Sequence, residues 1–352
     1  LLPDPSAYDA EPAPNADLAP TDPCLLTMTS GTAGPPKAVL HGQRYLTGQR
    51  LQAEHWLGAQ RSDIVWCTAA TGWSKSARNS FIAAWLLGAT ALVHDARFDA
   101  DERLAIATEE RVNVLCMAPT EYRVMSARAS LRPMAAIRSL VAAGEPLDEA
   151  TLYGWRDATG IDVRDGYGQT ETGQVTANPV GKPARPGSMG RPLPGVQAWV
   201  DDGELVVDPS TVPTFFLGYL GEAPPEGPWR TGDRVHTDDD GYLYFDARAD
   251  DVIISAGYRI GPYDVESVLN DHPAVAECAV VGAPDAARGQ VVRAVVVLRD
   301  GYAGSDALVA SLQDHVKAQT APYKYPRIVE FVDELPRTVT GKISRSRLRG
   351  SP

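Results

Sequence analysis

The 352-residue sequence is poor in cysteine, short of positive charge and without any long apolar run. Its four cysteines, Cys24, Cys67, Cys116 and Cys278, are scattered, with no CxxC pair and no Cys/His spacing suited to zinc. That excludes a disulfide scaffold and a zinc ribbon, and the thiols read as reduced core residues of a cytoplasmic protein. Lys and Arg number 33 against 45 Asp and Glu, a net charge of −12, so neither nucleic acid nor an anionic membrane is expected as the main partner. A nucleotide needs only a few placed donors and is not excluded. No stretch approaches the roughly 18 apolar residues of a membrane span. A Walker A loop, a complete GxGxxG, a basic n-region of a signal peptide and an internal repeat are also missing.

What is present is the composition of a globular enzyme, with 44% hydrophobic and 22% charged residues. Residues 1–23 form a Pro/Ala/Asp-rich lead. From 24 to 195, short apolar strands (24–29, 39–41, 64–67, 89–94, 112–117 and 137–142) alternate with helical spacing at 44–56, 76–87, 99–110 and 147–159. Asp99 is placed to cap one helix and Pro146 to open another. The pattern predicts an α/β fold, a mostly parallel sheet with flanking helices, whose ligands bind beyond the carboxyl ends of the strands. From 196 to 249 the period shortens, which predicts an antiparallel, β-barrel-like subdomain. Residues 250–352 predict a small, mobile α+β C-terminal domain. The joint, 246–261, reads DARADDVIISAGYRIG: charged residues beside an apolar strand, bounded by glycines, as suits a hinge.

Four stretches carry chemistry. Thr29, Ser30, Gly31, Thr32 and Lys37 stand in TSGTAGPPK after a strand, where hydroxyls, backbone amides and a lysine can surround phosphate oxygens. DGYGQTETG, 165–173, offers an aromatic ring to stack on a base, a threonine for a phosphate oxygen and a glutamate for Mg²⁺. WRTGD, 229–233, puts the Asp233 carboxylate in a tight turn, able to accept from ribose hydroxyls. PRTVTGK, 336–342, puts Lys342 on a Gly-containing loop. Each of the last two is weak alone.

In order along the chain, TSGTAGPPK, AAGEPL, DGYGQTETG, WRTGD, RADD…SAGYRIG and PRTVTGK resemble the adenylate-forming superfamily of acyl-CoA synthetases, luciferases and peptide-synthetase adenylation domains. TGWSKS, YGQTETG, HPAVAECAVVGAPD and TAPYKYPR look most like its medium-chain acyl-CoA synthetase branch. The resemblance runs from about residue 24 to the C-terminus. It implies an acid–thiol ligase that converts a carboxylic acid to acyl-AMP with ATP and Mg²⁺, then to a thioester with CoA. Thr29, Ser30, Gly31, Thr32 and Lys37 would hold the β- and γ-phosphates. Gly144, Glu145 and Pro146 would line the adenine slot, with Asp165 near the base's amino group and Tyr167 stacked on the ring. Thr170 would touch the α-phosphate, Glu171 would bind Mg²⁺, and Asp233, supported by Arg248, would take the ribose hydroxyls. Lys342 would reach the attacking carboxylate and the α-phosphate. Asp250 would be the pivot, Gly257 would flank the pantetheine path, and Arg259 would face the nucleotide in one of two orientations.

The resemblance leaves the acyl pocket least determined. Trp73, Ala142, Ala143 and Gly166 are expected to face the acyl tail, whose small neighbours favour a medium-chain fatty or aryl acid over acetate. Ala247 stands where the family usually has glycine. The terminal basic cluster Arg345, Arg347 and Arg349 reads either as a CoA-phosphate contact or as a solvated helix. Full members of the superfamily carry an N-terminal subdomain before the TSGT loop, and the expectation is that this sequence lacks it. Two alternatives follow: a module loading a carrier-protein thiol, or an inactive truncated remnant.

Overall fold

The computed structural model describes residues 14–29, 37–69, 74–128, 131–337 and 343–350. Its centre is a seven-stranded sheet in the order Thr90–Leu92, Ile64–Cys67, Val114–Met117, Ser139–Ala143, Val163–Gln169, Gly173–Ala177, Arg191–Pro192. The first five strands are parallel and the last two antiparallel. VLCM and SLVAA are buried at every residue, as central strands covered on both faces must be. Alternation then divides the neighbours. Val65, Cys67, Cys116, Val141 and Ala143 pack with Trp56, Leu57, Ala83 and Ala84 on one face. Trp66, Leu115, Met117, Leu140 and Ala142 pack with Leu104, Tyr122, Met125 and Trp155 on the other.

The flanking helices start where local chemistry tells them to. Asp99 accepts from the Glu102 amide at 2.9 Å and starts Ala100–Glu109, as expected. The helix expected from Leu147 begins instead at Glu149, because Asp148 accepts from the Thr151 amide at 2.8 Å and so satisfies an otherwise orphaned donor. Pro146 supplies only a fixed φ and lies outside. Two helices contain π-helical turns: Arg44–Gln52 continues into Ala53–Leu57, and Ser74–Ala77 into Arg78–Ile82 before Ala83–Leu86.

No barrel closes in the β-rich region among the described residues. Ala198–Asp201, Glu204–Val207, Trp229–Thr237 and Leu243–Arg248 form an open four-stranded sheet, too few strands to enclose an interior. FFLGYL yields only Gly218–Tyr219, which pairs with Ala38–Gly42 in a separate three-stranded sheet completed by Pro23–Met28. Asp233 sits within the long strand Trp229–Thr237 and not in a tight turn. After a turn at 249–251, Ile253–Ser255 and Tyr258–Ile260 make a hairpin whose two loop residues, Ala256 (φ 48°) and Gly257 (φ 84°), are both left-handed. This matches the twist a two-residue hairpin needs. The hairpin joins Gly289–Leu298, Val275–Asp285 and the parallel strand Ile328–Phe331. Helices Pro262–Asn270 and Asp306–Gln319 complete the core of this last unit with Val265, Leu269, Leu312 and Val316. No helix among the described residues is long and apolar enough to cross a membrane.

Gly190 joins the main sheet to the four-stranded one. Its carbonyl accepts from the Leu243 amide at 2.9 Å, its φ is +83°, and an added Cβ would lie 1.8 Å from the Ala177 carbonyl carbon. Gly190→Ala is expected to destabilise the fold by about 3 kcal/mol or more, from combined overlap and backbone strain, measured as a lowered urea midpoint.

Candidate active site

At the carboxyl end of the parallel strands the described site residues converge around two carboxylates. Asp233 is 4% exposed. Its Oδ1 accepts from Arg248 Nη1 at 3.0 Å, and its Oδ2 accepts from Gln169 Nε2 at 3.0 Å and from the Tyr167 hydroxyl. Gln169 also donates to the Thr231 carbonyl at 2.7 Å and is fixed by Trp229 Nε1, which donates to its Oε1 at 2.9 Å. Burial pushes the Asp233 carboxyl above its ordinary value, against the stabilising Arg248, Tyr167 and Gln169 contacts. Burial and the adjoining carboxylate push the Tyr167 phenol far upward, so it remains a donor. Arg248 also reaches Asp250 Oδ1 at 3.4 Å, linking the site to the joint.

The second carboxylate, Glu171, accepts from the Tyr219 hydroxyl at 2.8 Å. The Tyr219 ring lies 4.3 Å beneath Lys37 Nζ, which pairs with Glu222 at 3.2 Å. Lys37 and Thr29 close the ends of a hairpin loop: the Thr29 amide donates to the Lys37 carbonyl at 2.8 Å, and the Lys37 amide to Thr29 Oγ1 at 3.3 Å. Thr170 Oγ1 is 3.4 Å from Ser74 Oγ, on the helix that flanks this edge. Among the described residues no group of three His, Cys, Asp or Glu side chains is arranged for a metal. A single carboxylate with one oxygen engaged fits Mg²⁺, which takes one or two carboxylates and completes its shell with phosphate oxygens and water.

Asp165 is 5% exposed and accepts from the Gly166 amide at 2.8 Å. It also faces the Leu147 amide, so it lies against the Gly144–Pro146 bend, where Gly144 has φ +106° and Glu145 Oε1 accepts from the Thr120 amide at 2.7 Å. Of the acyl-pocket residues, Ala143 and Gly166 are cross-strand partners and share a face. Ala142 points to the opposite face, among Leu140, Tyr122 and Trp155, and is not beside them. A β-strand turns successive side chains to opposite sides, so both alanines cannot line one pocket. Ser30, Gly31, Thr32, Trp73 and Lys342 lie outside the described residues.

The joint carries its expected residues on two separate parts. Asp250 stands in the turn, where its carbonyl accepts from Arg349 at 2.9 Å, and Asp251 pairs with the same arginine at 2.5 Å. Gly257 and Arg259 are exposed on the hairpin, away from the Asp233 cluster's hydrogen bonds. The terminal arginines are not a free cluster. Arg345 grips both oxygens of buried Glu266 at 2.7–2.8 Å, and Arg349 holds the turn. Gln169 and Trp229 stand within DGYGQTETG and WRTGD but carried no assigned role there, and Tyr219 lies in FFLGYL, a β segment with no motif of its own. Lys75, buried and donating to the Met117 and Ala143 carbonyls at 2.8 Å, stood within TGWSKS without a role.

The chain matches the AMP-binding enzyme family over residues 2–219 and the AMP-binding enzyme C-terminal domain over 264–342. It is 42% identical to the uncharacterized acyl-CoA ligase YtcI of Bacillus subtilis over 95% of this chain and 67% of that protein. It is 44% identical to the human mitochondrial acyl-coenzyme A synthetase ACSM4 over 93% of this chain and 61% of that protein. The chain thus spans about three fifths to two thirds of the length of these relatives. The crystal structure of the anthranilate CoA ligase AuaEII in complex with anthranoyl-AMP superposes with a TM-score of 0.86 at 33% identity, covering 94% of this chain and 67% of that one.

Burial raises Asp165 to about 8, far above its unfolded value, so the folded protein keeps it protonated where the unfolded chain ionises it. Its contribution to stability is therefore full in acid and is lost as pH rises from about 4 to about 8. Asp165→Asn is expected to flatten that fall, read as urea midpoints measured across the pH range for both proteins.

Proposed function

The chain belongs to the AMP-binding enzyme family, and from that premise we propose that it is an acyl-CoA synthetase, an AMP-forming acid–thiol ligase. The observation that carries this reading is the sharing of Asp233 between Tyr167, Gln169 and Arg248, directly beside Thr170 and Glu171. A ribose diol displaces the Tyr167 hydroxyl and Gln169 amide from Asp233, and the freed Tyr167 ring turns onto the base. Asp165 and the 144–146 bend receive the adenine edge, and Arg248 keeps Asp233 in place.

In the first half-reaction a carboxylate oxygen of the acid attacks the α-phosphorus of ATP. The bond from that phosphorus to the bridging oxygen breaks, and pyrophosphate leaves with the electron pair. The need is for positioned positive charge and donors and not for a general base. Thr170 meets the α-phosphate, and Thr29, Ser30, Gly31, Thr32 and Lys37 hold the β- and γ-phosphates, for which Lys37 exchanges Glu222. Bound Mg²⁺ supplies neutralisation of phosphate charge, and Glu171 is the residue that would hold it. Lys342 reaches the carboxylate and the α-phosphate from its loop. In the second half-reaction the CoA sulfur attacks the acyl carbon, AMP departs, and the thiol proton passes to solvent. For this step the small domain rotates about Asp250 and presents Gly257 along the thiol's path, while Arg259 turns toward the nucleotide. The body of the acid is a medium-length aliphatic chain or an aryl ring, as in a medium-chain fatty or aryl acid, lying along the Ala143 and Gly166 face, and the setting is cytoplasmic.

The test is ATP–pyrophosphate exchange with aliphatic and aryl acids, followed by thioester formation with CoA and with a carrier-protein thiol. Acid-dependent exchange and CoA turnover are expected, and turnover only with the carrier rejects free CoA as acceptor. Lys342→Ala is expected to lower exchange by about 10²-fold or more while leaving thioester formation from synthetic acyl-AMP nearly intact. Equal loss of both steps contradicts the division of roles.

A further inference from the structure

The helix Arg44–Gln52 and its π-helical extension Ala53–Leu57 are polar on the inside. Tyr45, Gln49, Gln52 and Trp56 recur at three- to four-residue spacing and are buried, while Arg50 and Glu54 pair with one another on the outer face. Against this stripe lie His41, Arg78 and Gln174. His41 stacks on Tyr45 at 4.0 Å, and Gln52 donates to Asn79 Oδ1, next to Arg78, at 2.6 Å. The indole nitrogen of Trp56 and the Gln174 amide both crowd the Cβ position of Gly166.

Most of the buried side-chain polar atoms without a hydrogen-bond partner among the described residues fall in this one seam. They include both ring nitrogens of His41, the Tyr45 hydroxyl, both amide atoms of Gln49, Gln52 Oε1, Trp56 Nε1, Gln174 Oε1 and Arg78 Nε. Native interiors leave few such groups, and a concentration of them marks a place where a partner is to come.

Arg78 is the charged member. It is 4% exposed, starts a π-helical turn and has no carboxylate partner among the described residues; its Nη1 reaches the Gln169 carbonyl at 3.5 Å, and the guanidinium lies beside the Tyr45 hydroxyl. Carboxylates on adjoining elements are committed elsewhere: Glu171 to Tyr219, Glu121 to Thr68 and the Ala118 amide. The other buried cation of the helix, Lys75, is held by two strand-end carbonyls. Burial and the charge of Arg78 press His41 down to about 4, which keeps the ring neutral and adds no second cation beside the guanidinium. A buried charge of this kind costs several kcal/mol until it meets an anion.

We propose that Arg78 is a specificity-determining residue of the acyl site, and that the acid it selects carries a second anionic oxygen at its far end. This rests on the acyl-activating reading above. Ser74, which touches Thr170, lies one helical turn before Arg78, a separation of about 6 Å. A carboxylate reacting beside Thr170 therefore leaves a second oxyanion near the guanidinium when the molecule is the size of glutarate or adipate.

The experiment compares pyrophosphate exchange with glutarate against pentanoate, and adipate against hexanoate. A preference for the diacid of about tenfold or more in kcat/KM is expected, because a site built around a buried cation is left unpaired by the monoacid. Arg78→Leu is expected to erase or reverse that ratio, and Arg78→Lys to restore part of it. A monoacid that matches or exceeds its diacid, or an unchanged ratio in Arg78→Leu, overturns the assignment and leaves the seam a hydrated interior. Should no acid support exchange, the ligase reading fails and thermal shift decides the subsite by itself. A rise in Tm on adding glutarate with AMP, present in the native protein and lost in Arg78→Leu, supports it, and no rise overturns it.

Discussion

The Asp233 carboxylate is the point on which three parts of this molecule depend. Its two oxygens are met from the end of a parallel-sheet strand, through Tyr167 and Gln169, and from the last residue of the strand that leads to the joint, through Arg248. A nearly buried anion holds such partners strongly because bulk water does not compete for it. Remove the charge, and Gln169, Tyr167 and Arg248 are all left with donors turned inward. The Trp229 indole, which fixes Gln169, is four residues upstream of Asp233 on the same strand. One strand therefore carries both the anion and the residue that orients its partner, and the site is assembled by docking a β-sheet against strand ends.

The same contact explains why the joint stands where it does. Arg248 bonds Asp233 on one side and Asp250 on the other, so the turn at 249–251 begins immediately beyond a fixed residue. Burial separates the two bonds in strength. The side chain of Asp233 is almost inaccessible, whereas Asp250 is exposed and its pairing is worth at most about 1 kcal/mol. Under the rotation proposed above, the weak bond is the one that would break and the strong one the one that would hold.

The fold was legible wherever periodicity or capping decides it. VLCM and SLVAA could only be covered strands, and Asp99 ended one segment and began a helix as its side chain requires. Asp148 was overlooked because a proline nearby gave a competing start signal. The barrel was a misreading of short β segments: spacing shows that strands exist and not which sheet they join, and Gly218–Tyr219 went to a different one. Asp165 and Tyr167 lie along Val163–Gln169 and Glu171 just after it, and Asp233 meets Tyr167 from within Trp229–Thr237, a pairing between two sheets that no motif spacing states. Ala142 could have been separated from Ala143 by alternation alone, since adjacent residues in a strand face apart. The inward polar stripe at Tyr45, Gln49 and Gln52 was hidden, because the side that faces the core is inferred from apolar residues, and here Gln49 and Gln52 are buried on the same helix as Ala53, Trp56 and Leu57.

The C-terminal arginines tie the terminal helix and the 249–251 turn to the last unit. Arg345 is bound to Glu266, which also accepts from the Val280 amide at 2.7 Å, so the terminal helix is anchored in the core of the last unit. Arg349, one turn on, holds the carbonyl of Asp250 and the carboxylate of Asp251. Before the Lys342 loop, Arg337 pairs with Glu277 at 2.6 Å and bridges to Ile343. Residues on either side of 338–342 are therefore tied to the sheet and helices of the last unit, and the turn at 249–251 is tied to that unit as well. Under the two-step reading proposed above, Lys342 travels with that unit, so the rotation that would admit the thiol is the same one that would withdraw the lysine.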